Sequence, residues 1–221
     1  MPLPGSAKGY PEVIRDLKGR RIGVPARGAA GEVILGAMLR DAGLKPGDVT
    51  VVATGGPDTA YNSMVLGRQV DAVIAVSPAK ELCAITKACA VVIDMPNGEG
   101  PDLFRKPDAA GVAFVMRRQF ADSNPALMAA YFAAMKEAAA WFQVPANLDE
   151  VVALYKPLIG FKDVPDGDLL LRSWIKDAVR TYSPDLSVNR DGIRAAIDFA
   201  VQNKMLAQPV EVAKLVWDKA P

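Results

Sequence analysis

The sequence has no histidine and only two cysteines among its 221 residues. Without an imidazole, neither a Ser-His-Asp nor a Cys-His arrangement can be assembled from this chain, and an HExxH metal motif is excluded with them. The cysteines, Cys83 and Cys89 in "ELCAITKACA", lack CxxC spacing and a histidine partner, so no zinc site is expected. Two partly buried thiols are the expected state, because free cysteine packs as a small hydrophobe. The alternative, a local disulfide, requires a helix to end between them. Charge of one sign is also missing in excess: 26 basic residues face 25 acidic ones, for a formal charge of +1. With no polybasic run, nucleic acid and anionic membrane surfaces are not expected partners. No apolar run approaches the about 18 residues of a membrane-spanning helix. The opening "MPLPGSAKGYPE" has neither the apolar core nor the cleavage motif of a signal peptide.

What is present is ordinary globular material, 51% hydrophobic and 23% charged. Between Arg20 and Met95, short β-branched runs alternate with helical periods. "RIGV", "VTVVA", "DAVIAV" and "AVVIDM" read as strands, so βαβ units and a parallel sheet with right-handed crossovers are predicted. The first helix is predicted from about Ala29 to Asp41, stopped by Gly43; the second starts at Pro57 and Asp58 and ends near Gly67. After a loop, "PNGEGPDLFRKPD", one further strand is predicted in "GVAFVMRR". The rest reads as helical. Asn124 and Pro125 suit the start of a long helix to Gln143, with Leu127, Tyr131, Ala134, Met135, Ala138 and Phe142 on one face. Further helices are predicted at about Leu148–Leu158, Asp166–Thr181, Arg190–Asn203 and Pro209–Asp218.

In a parallel α/β sheet, ligands bind beyond the carboxyl ends of the strands, where loops meet helix N-termini. Three loops belong to that edge: "PARGAAG", "TGGPD" and "SPAK". In the first, Gly28, Ala29, Ala30 and Gly31 expose backbone amides at a helix start, which favours an anion. Arg27 can add a bidentate contact to a carboxylate, sulfonate or phosphate; alternatively it points into water and the glycines only make the turn. Gly55, Gly56, Pro57, Asp58 and Thr59 form the second candidate loop, and Ser77 and Pro78 the third. "GVPARGAAG" is not GxGxxG, and Thr54 ends the second strand where a dinucleotide site needs an acid, so nicotinamide and flavin dinucleotides are not expected. The GxxxxGK[ST] phosphate loop is absent too, and no cofactor is expected. Asp94, Glu99 and Asp102 lie around a Gly/Pro loop and read as solvated acids.

"DLKGRRIGVPARGAAGEVILGAMLRDAGLKPGDVTVV", the GG loop, "MVLGRQVDAVIAVSPA" and "DGIRAAIDFAVQNKMLAQPVEVAKLV" together resemble the periplasmic substrate-binding proteins of ABC importers for nitrate, sulfonates and taurine. That family shares its fold with thiamine-pyrimidine synthases. The resemblance rests on the L-x-G-K/R-x-I-G-V strand and on "MVLGRQVDA", which is similar to the family's L-x-x-G-x-V-D-A segment. It departs at Ser77-Pro78, where the family often has an acid before the proline, so one negative group is removed from the cleft. The resemblance implies a type II periplasmic-binding-protein-like α/β fold. Residues 1–117 would be the ligand-binding lobe with its crossing strand, and 118–221 the helical segment that completes the other lobe.

Family members begin with about a hundred residues that build the first lobe's sheet, and this chain starts at the crossing into the second. The expectation is therefore a binding protein lacking most of one jaw, truncated, mis-started or split. Its apolar helices would then repack or associate as a homo-oligomer. The function implied is non-catalytic binding of a small anionic solute for delivery to an ABC permease in the periplasm. A ligand-sensing or interaction domain of the same fold is the alternative. The synthase branch is disfavoured, because its chemistry depends on a histidine and a cysteine-rich segment that this chain lacks.

Overall fold

The computed structural model describes residues 8–75, 77–105, 114–158, 166–179 and 185–220, without the side chains of Asp58, Phe104 and Arg105. The chain divides into two compact units, Met1–Lys106 and Pro107–Pro221.

In the first unit, a 3-10 turn over Glu12–Leu17 leads to β1 (Arg21–Val24), α1 (Ala30–Asp41), β2 (Thr50–Ala53), α2 (Pro57–Val65), β3 (Ala72–Val73), α3 (Ala79–Thr86) and the short α4 (Asp102–Arg105). The strands form a three-stranded sheet of order β2-β1-β3, and both pairings are parallel, Ile22 standing against Val51 on one side and Ala72 on the other. Register is fixed at one end by Asp71. Its carboxylate accepts the Arg21 backbone amide (2.8 Å) and the guanidinium Nε (3.2 Å) and Nη2 (3.1 Å). These Arg21 hydrogen bonds hold the Asp71 carboxyl below its ordinary value. β1 carries Gly23 at its centre because nothing larger fits. A Cβ there would lie 2.8 Å from Thr54 Cγ2 and 2.9 Å from Val73 Cγ1.

α1 ends where its sequence says it should. Gly43, at φ +75°, lets the Leu44 amide reach back to the Leu39 carbonyl (2.7 Å) and its own amide reach Arg40 (2.9 Å), the paired closing bonds that a left-handed residue permits. Ile22, Val24, Leu35 and Leu39, each at most 1% exposed, join Val13, Ile14, Leu17 and Met38 in one core on this side of the sheet. Each such aliphatic side chain contributes roughly 1.5–3 kcal/mol on burial.

Three expectations are corrected here. "AVVIDM" is not a strand. Val92, Ile93 and Met95 still pack against the core, but the Asp94 amide donates to the Glu99 carboxylate (2.7 Å), which removes it from any ladder. Of "GVAFVMRR", residues 111–113 lie outside the described residues, and Phe114–Arg117 form no strand but run exposed. The cysteines are not free thiols: Cys83 and Cys89 form a disulfide with Cα atoms 4.8 Å apart. The condition for that bond is met, since α3 stops at Thr86 and Lys87 (φ 56°) turns the chain back.

The second unit contains α5 (Arg118–Ser123), α6 (Pro125–Phe142), α7 (Leu148–Tyr155), α8 (Gly167–Val179), α9 (Arg190–Gln202) and α10 (Val212–Leu215). Helices end close to their sequence signals, except that the predicted Pro209–Asp218 helix is only the single turn of α10. Asn124 precedes α6 but does not cap it with its side chain; its amide donates to the Phe120 carbonyl instead (2.8 Å). Asn189, by contrast, accepts the Gly192 amide (2.7 Å) and caps α9. Aromatic contacts join successive helices: Phe142 meets Tyr155, and Tyr155 meets Trp174 edge-on at 5.9 Å. α6 is largely uncovered. Met128 is its one buried residue, outside the predicted apolar face, and Leu127 on that face is 52% exposed.

Candidate functional site

Because the three strands run parallel, the loops leaving β1, β2 and β3 emerge at one edge of the sheet. The first two are zipped together there: the Thr54 amide donates to the Val24 carbonyl (2.8 Å) and the Gly55 amide to the Pro25 carbonyl (3.2 Å). The first also touches the end of β3. A Cβ on Gly31 would meet Pro25 Cδ at 2.9 Å and Ile74 Cγ2 at 3.8 Å, so this glycine serves close packing of the helix start. Gly28 and Gly55 have a different reason, φ values of +73° and +76°, which disfavour side chains.

Each loop leads into a helix whose first turn receives no hydrogen bond from a capping side chain. Ala29 precedes α1, Gly56 precedes α2, and Pro78 precedes α3. The Thr59 hydroxyl donates to the Gly56 carbonyl (2.9 Å), which tightens the α2 turn. Ser77 Oγ donates to Glu81 Oε1 (3.2 Å), and Glu81 is buried. Ala29 and Ser77 are half-buried, Pro78 is buried, and Ala30, Gly55, Gly56 and Thr59 are exposed.

Arg27 is 60% exposed and is held by residues of α1 and β2. Its guanidinium binds Glu32, with Nε at 3.0 and 3.1 Å from the two carboxylate oxygens and Nη2 at 2.9 Å from Oε1. Its Nη1 donates to the Val51 carbonyl (3.1 Å). The alternation that turns the Thr50 and Thr54 amides toward β1 turns that carbonyl to the free edge of β2, so Arg27 covers an edge acceptor. Glu32 Oε2 also accepts the Gly28 amide (2.6 Å). The Gly28 hydrogen bond first, then Arg27, holds the Glu32 carboxyl below its ordinary value. Glu32 is the participant that sequence reading missed. An acid at the third position of a helix that follows a glycine turn is its signal.

A second ion pair was also missed. Lys80, in the first turn of α3, lies 3.0 Å from Asp94 Oδ2, which also accepts the Asn97 side-chain amide (2.9 Å). Asp94 is therefore a half-buried, paired acid and not a solvated one, whereas Glu99 and Asp102 are exposed. Among the described residues, no group of three or more acids, histidines or cysteines is placed to hold a metal ion, and no helix is long and apolar enough to cross a membrane.

Comparison with solved structures finds this fold in periplasmic binding proteins. The aliphatic sulphonate binding protein SsuA of Escherichia coli aligns with a TM-score of 0.66 at 20% identity, covering 96% of this chain and 67% of that one. A structure from Bordetella bronchiseptica RB50 aligns with a TM-score of 0.58 at 23% identity, over 95% of this chain and 62% of its own. A chain from Methylobacillus flagellatus KT, described as a periplasmic sulfonate-binding protein, gives 0.61 at 18% identity, over 91% and 58%. This chain thus spans about three-fifths to two-thirds of the length of these structures. A search of curated proteins returned no match. The family model described as NMT1/THI5 like matches residues 8–146, more than half of the sequence. With the parallel sheet and its three helix starts, this match identifies the chain as a member of the NMT1/THI5-like family.

Proposed function

We propose that this chain is a non-catalytic, solute-binding component of an ABC importer. Its solute would be a small anion or an acid-bearing organic molecule, with sulfonates the first class to test. The observation that carries the reading is the convergence of three helix starts without side-chain caps on one edge of a parallel sheet, in a fold found in sulfonate-binding proteins. Backbone amides and helix dipoles at such an edge favour negative charge without a metal or cofactor. The site comprises Arg27–Gly31, Gly55–Thr59 and Ser77–Pro78. The Cys83–Cys89 disulfide supports an oxidising compartment such as the periplasm, where the solute would be handed to a membrane permease. Exposed apolar residues on the second unit's helices favour self-association.

A thermal-shift screen against sulfonates, nitrate, carboxylates, phosphonates and pyrimidines, run beside light scattering, tests this reading. A ligand bound only by the folded state raises its stability by about 2.7 kcal/mol at a hundred times its Kd. A sulfonate or related anion that raises the melting temperature is the expected result. A well-folded sample that responds to none of the panel overturns the reading. Arg27→Ala is expected to weaken the binding of a hit without unfolding the protein, and unchanged affinity removes Arg27 from the site.

A further inference from the structure

α3 ends in a covalent loop that is tied to α2. The Cys83 carbonyl accepts the Lys87 amide (3.0 Å), Lys87 turns left-handed at φ 56°, and Cys89 is bonded back to Cys83. Inside this loop, Thr86 Oγ1 accepts the Tyr61 hydroxyl (2.9 Å) and the Ala88 amide (3.3 Å), and donates to the Leu82 carbonyl (2.7 Å). Tyr61 belongs to α2 and is buried, so one threonine hydroxyl joins the disulfide loop to the neighbouring helix. A left-handed backbone is uncommon for lysine, and the cross-link holds Ala88 where its amide reaches Thr86. The two sulfurs differ in access. Cys83 is 8% exposed, whereas Cys89 is half-buried between exposed Ala88 and Ala90.

We propose that the Cys83–Cys89 disulfide is a redox-operated clasp between α3 and α2, entered at Cys89 by a dithiol and re-closed by Cys83. The attacking thiolate bonds to Cys89 Sγ as the bond to Cys83 breaks, and Cys83 leaves as a thiolate. The dithiol's second thiolate then attacks its own first sulfur, which releases Cys89 and closes the reductant into a cyclic disulfide. The dithiol gives up two electrons, the protein gains them, and the dithiol's two protons end on the cysteine sulfurs. A monothiol stalls at the first step. The released Cys83, whose Cα lies 4.8 Å from that of Cys89 in the closed loop, expels it at high effective concentration. Opening frees Lys87 to leave the left-handed region and draws Ala88 off Thr86, which loosens the Tyr61 contact. α2 and α3 are thus tied in an oxidising compartment and lose that tie in a reducing one.

The test follows backbone hydrogen exchange of the full chain before and after dithiothreitol, with 2-mercaptoethanol at equal thiol concentration beside it. Dithiothreitol is expected to speed exchange about ten-fold at residues 86–88 and in the second half of α2, with β1 unchanged. The monothiol should leave both regions as they were. Tyr61→Phe, kept oxidised, should show the faster α2 exchange already, and dithiothreitol should then add little there. Thr86→Val serves the same purpose if Tyr61→Phe fails to fold. An α2 that does not respond to reduction overturns the clasp, and so does a full further response in Tyr61→Phe. Entry at Cys89 is read from the single thiols with an aryl disulfide reagent: Cys89 in Cys83→Ser should react roughly ten-fold faster than Cys83 in Cys89→Ser. Equal rates, or opening by the monothiol, overturn the assigned order of attack.

Discussion

The two units bury their apolar residues in different ways. In the first, side chains from the opening 3-10 turn, β1, α1 and the approach to β2 meet in a single cluster, and among the described residues only Leu66 and Val91 stand out as large exposed hydrophobics. In the second, α8 buries Leu170, Leu171 and Ile175, but α5, α6 and α7 bury a single residue each. Phe114, Val115, Phe120, Leu127, Leu154 and Leu158 are among its large side chains left more than 45% exposed. The difference shows how little a helical pattern guarantees by itself. A sheet with crossovers forces distant segments onto one surface, whereas consecutive helices can form with few neighbours to cover them. The first unit should therefore be the more resistant to local opening.

Substitutions can break or sharpen that contrast. Leu35→Ala removes a side chain that is 1% exposed and should cost about 2–5 kcal/mol in urea melts. Leu154→Ala, at a position 57% exposed, should stay within roughly 0.5 kcal/mol. A large loss at Leu154 would mean that the second unit's surface is covered in solution, and the contrast would then be one of partners and not of packing.

A smaller effect is expected from the disulfide. Its sequence separation is six, so the closed loop is short, and Cys83→Ser or reduction should cost about 2 kcal/mol on the loop-entropy account. Hydrogen exchange at α3 should report it locally, with β1 unaffected. Faster exchange throughout the first unit would show that α3 holds more of that unit together than its place at the sheet's end implies.

The smallest effect is acid sensitivity. Glu32 and Asp71 both titrate below their ordinary values in the folded state. The stability they contribute is complete above the unfolded carboxylate range, about 3.9–4.3, and is lost as pH falls through their lower folded values. Glu32→Gln combined with Asp71→Asn should flatten the acid limb of the stability profile, and an unchanged limb would assign it to other carboxylates. Both residues are partly open to solvent, so the gain is modest.

The parallel sheet, the stop at Gly43 and most helix boundaries were legible in the sequence, because periodicity and glycine turns act over a few residues. The alignment of the three candidate loops at one edge followed from the same alternation. The failures have a common cause, since each depended on a partner that spacing does not name. "AVVIDM" has strand composition, yet the Asp94 amide is taken by Glu99. Cys83 and Cys89 look like ordinary buried thiols until Lys87 reverses the chain. Arg27 was legible as a cation beside a glycine turn, but not as the partner of Glu32 and Val51. Asp94 gave no sign in the sequence of its pairing with Lys80.

Gly23 and Gly56 suggest where this scaffold can be rebuilt. Position 23 is wedged between Thr54 and Val73, whereas a Cβ at Gly56 meets nothing within 4 Å, and the backbone there (φ −70°) suits any residue. Redesign of solute preference therefore has a closed door in the central strand and an open one at the start of α2. A library confined to position 56 and exposed Ala30 would vary the walls of the proposed site while leaving the sheet beneath them untouched.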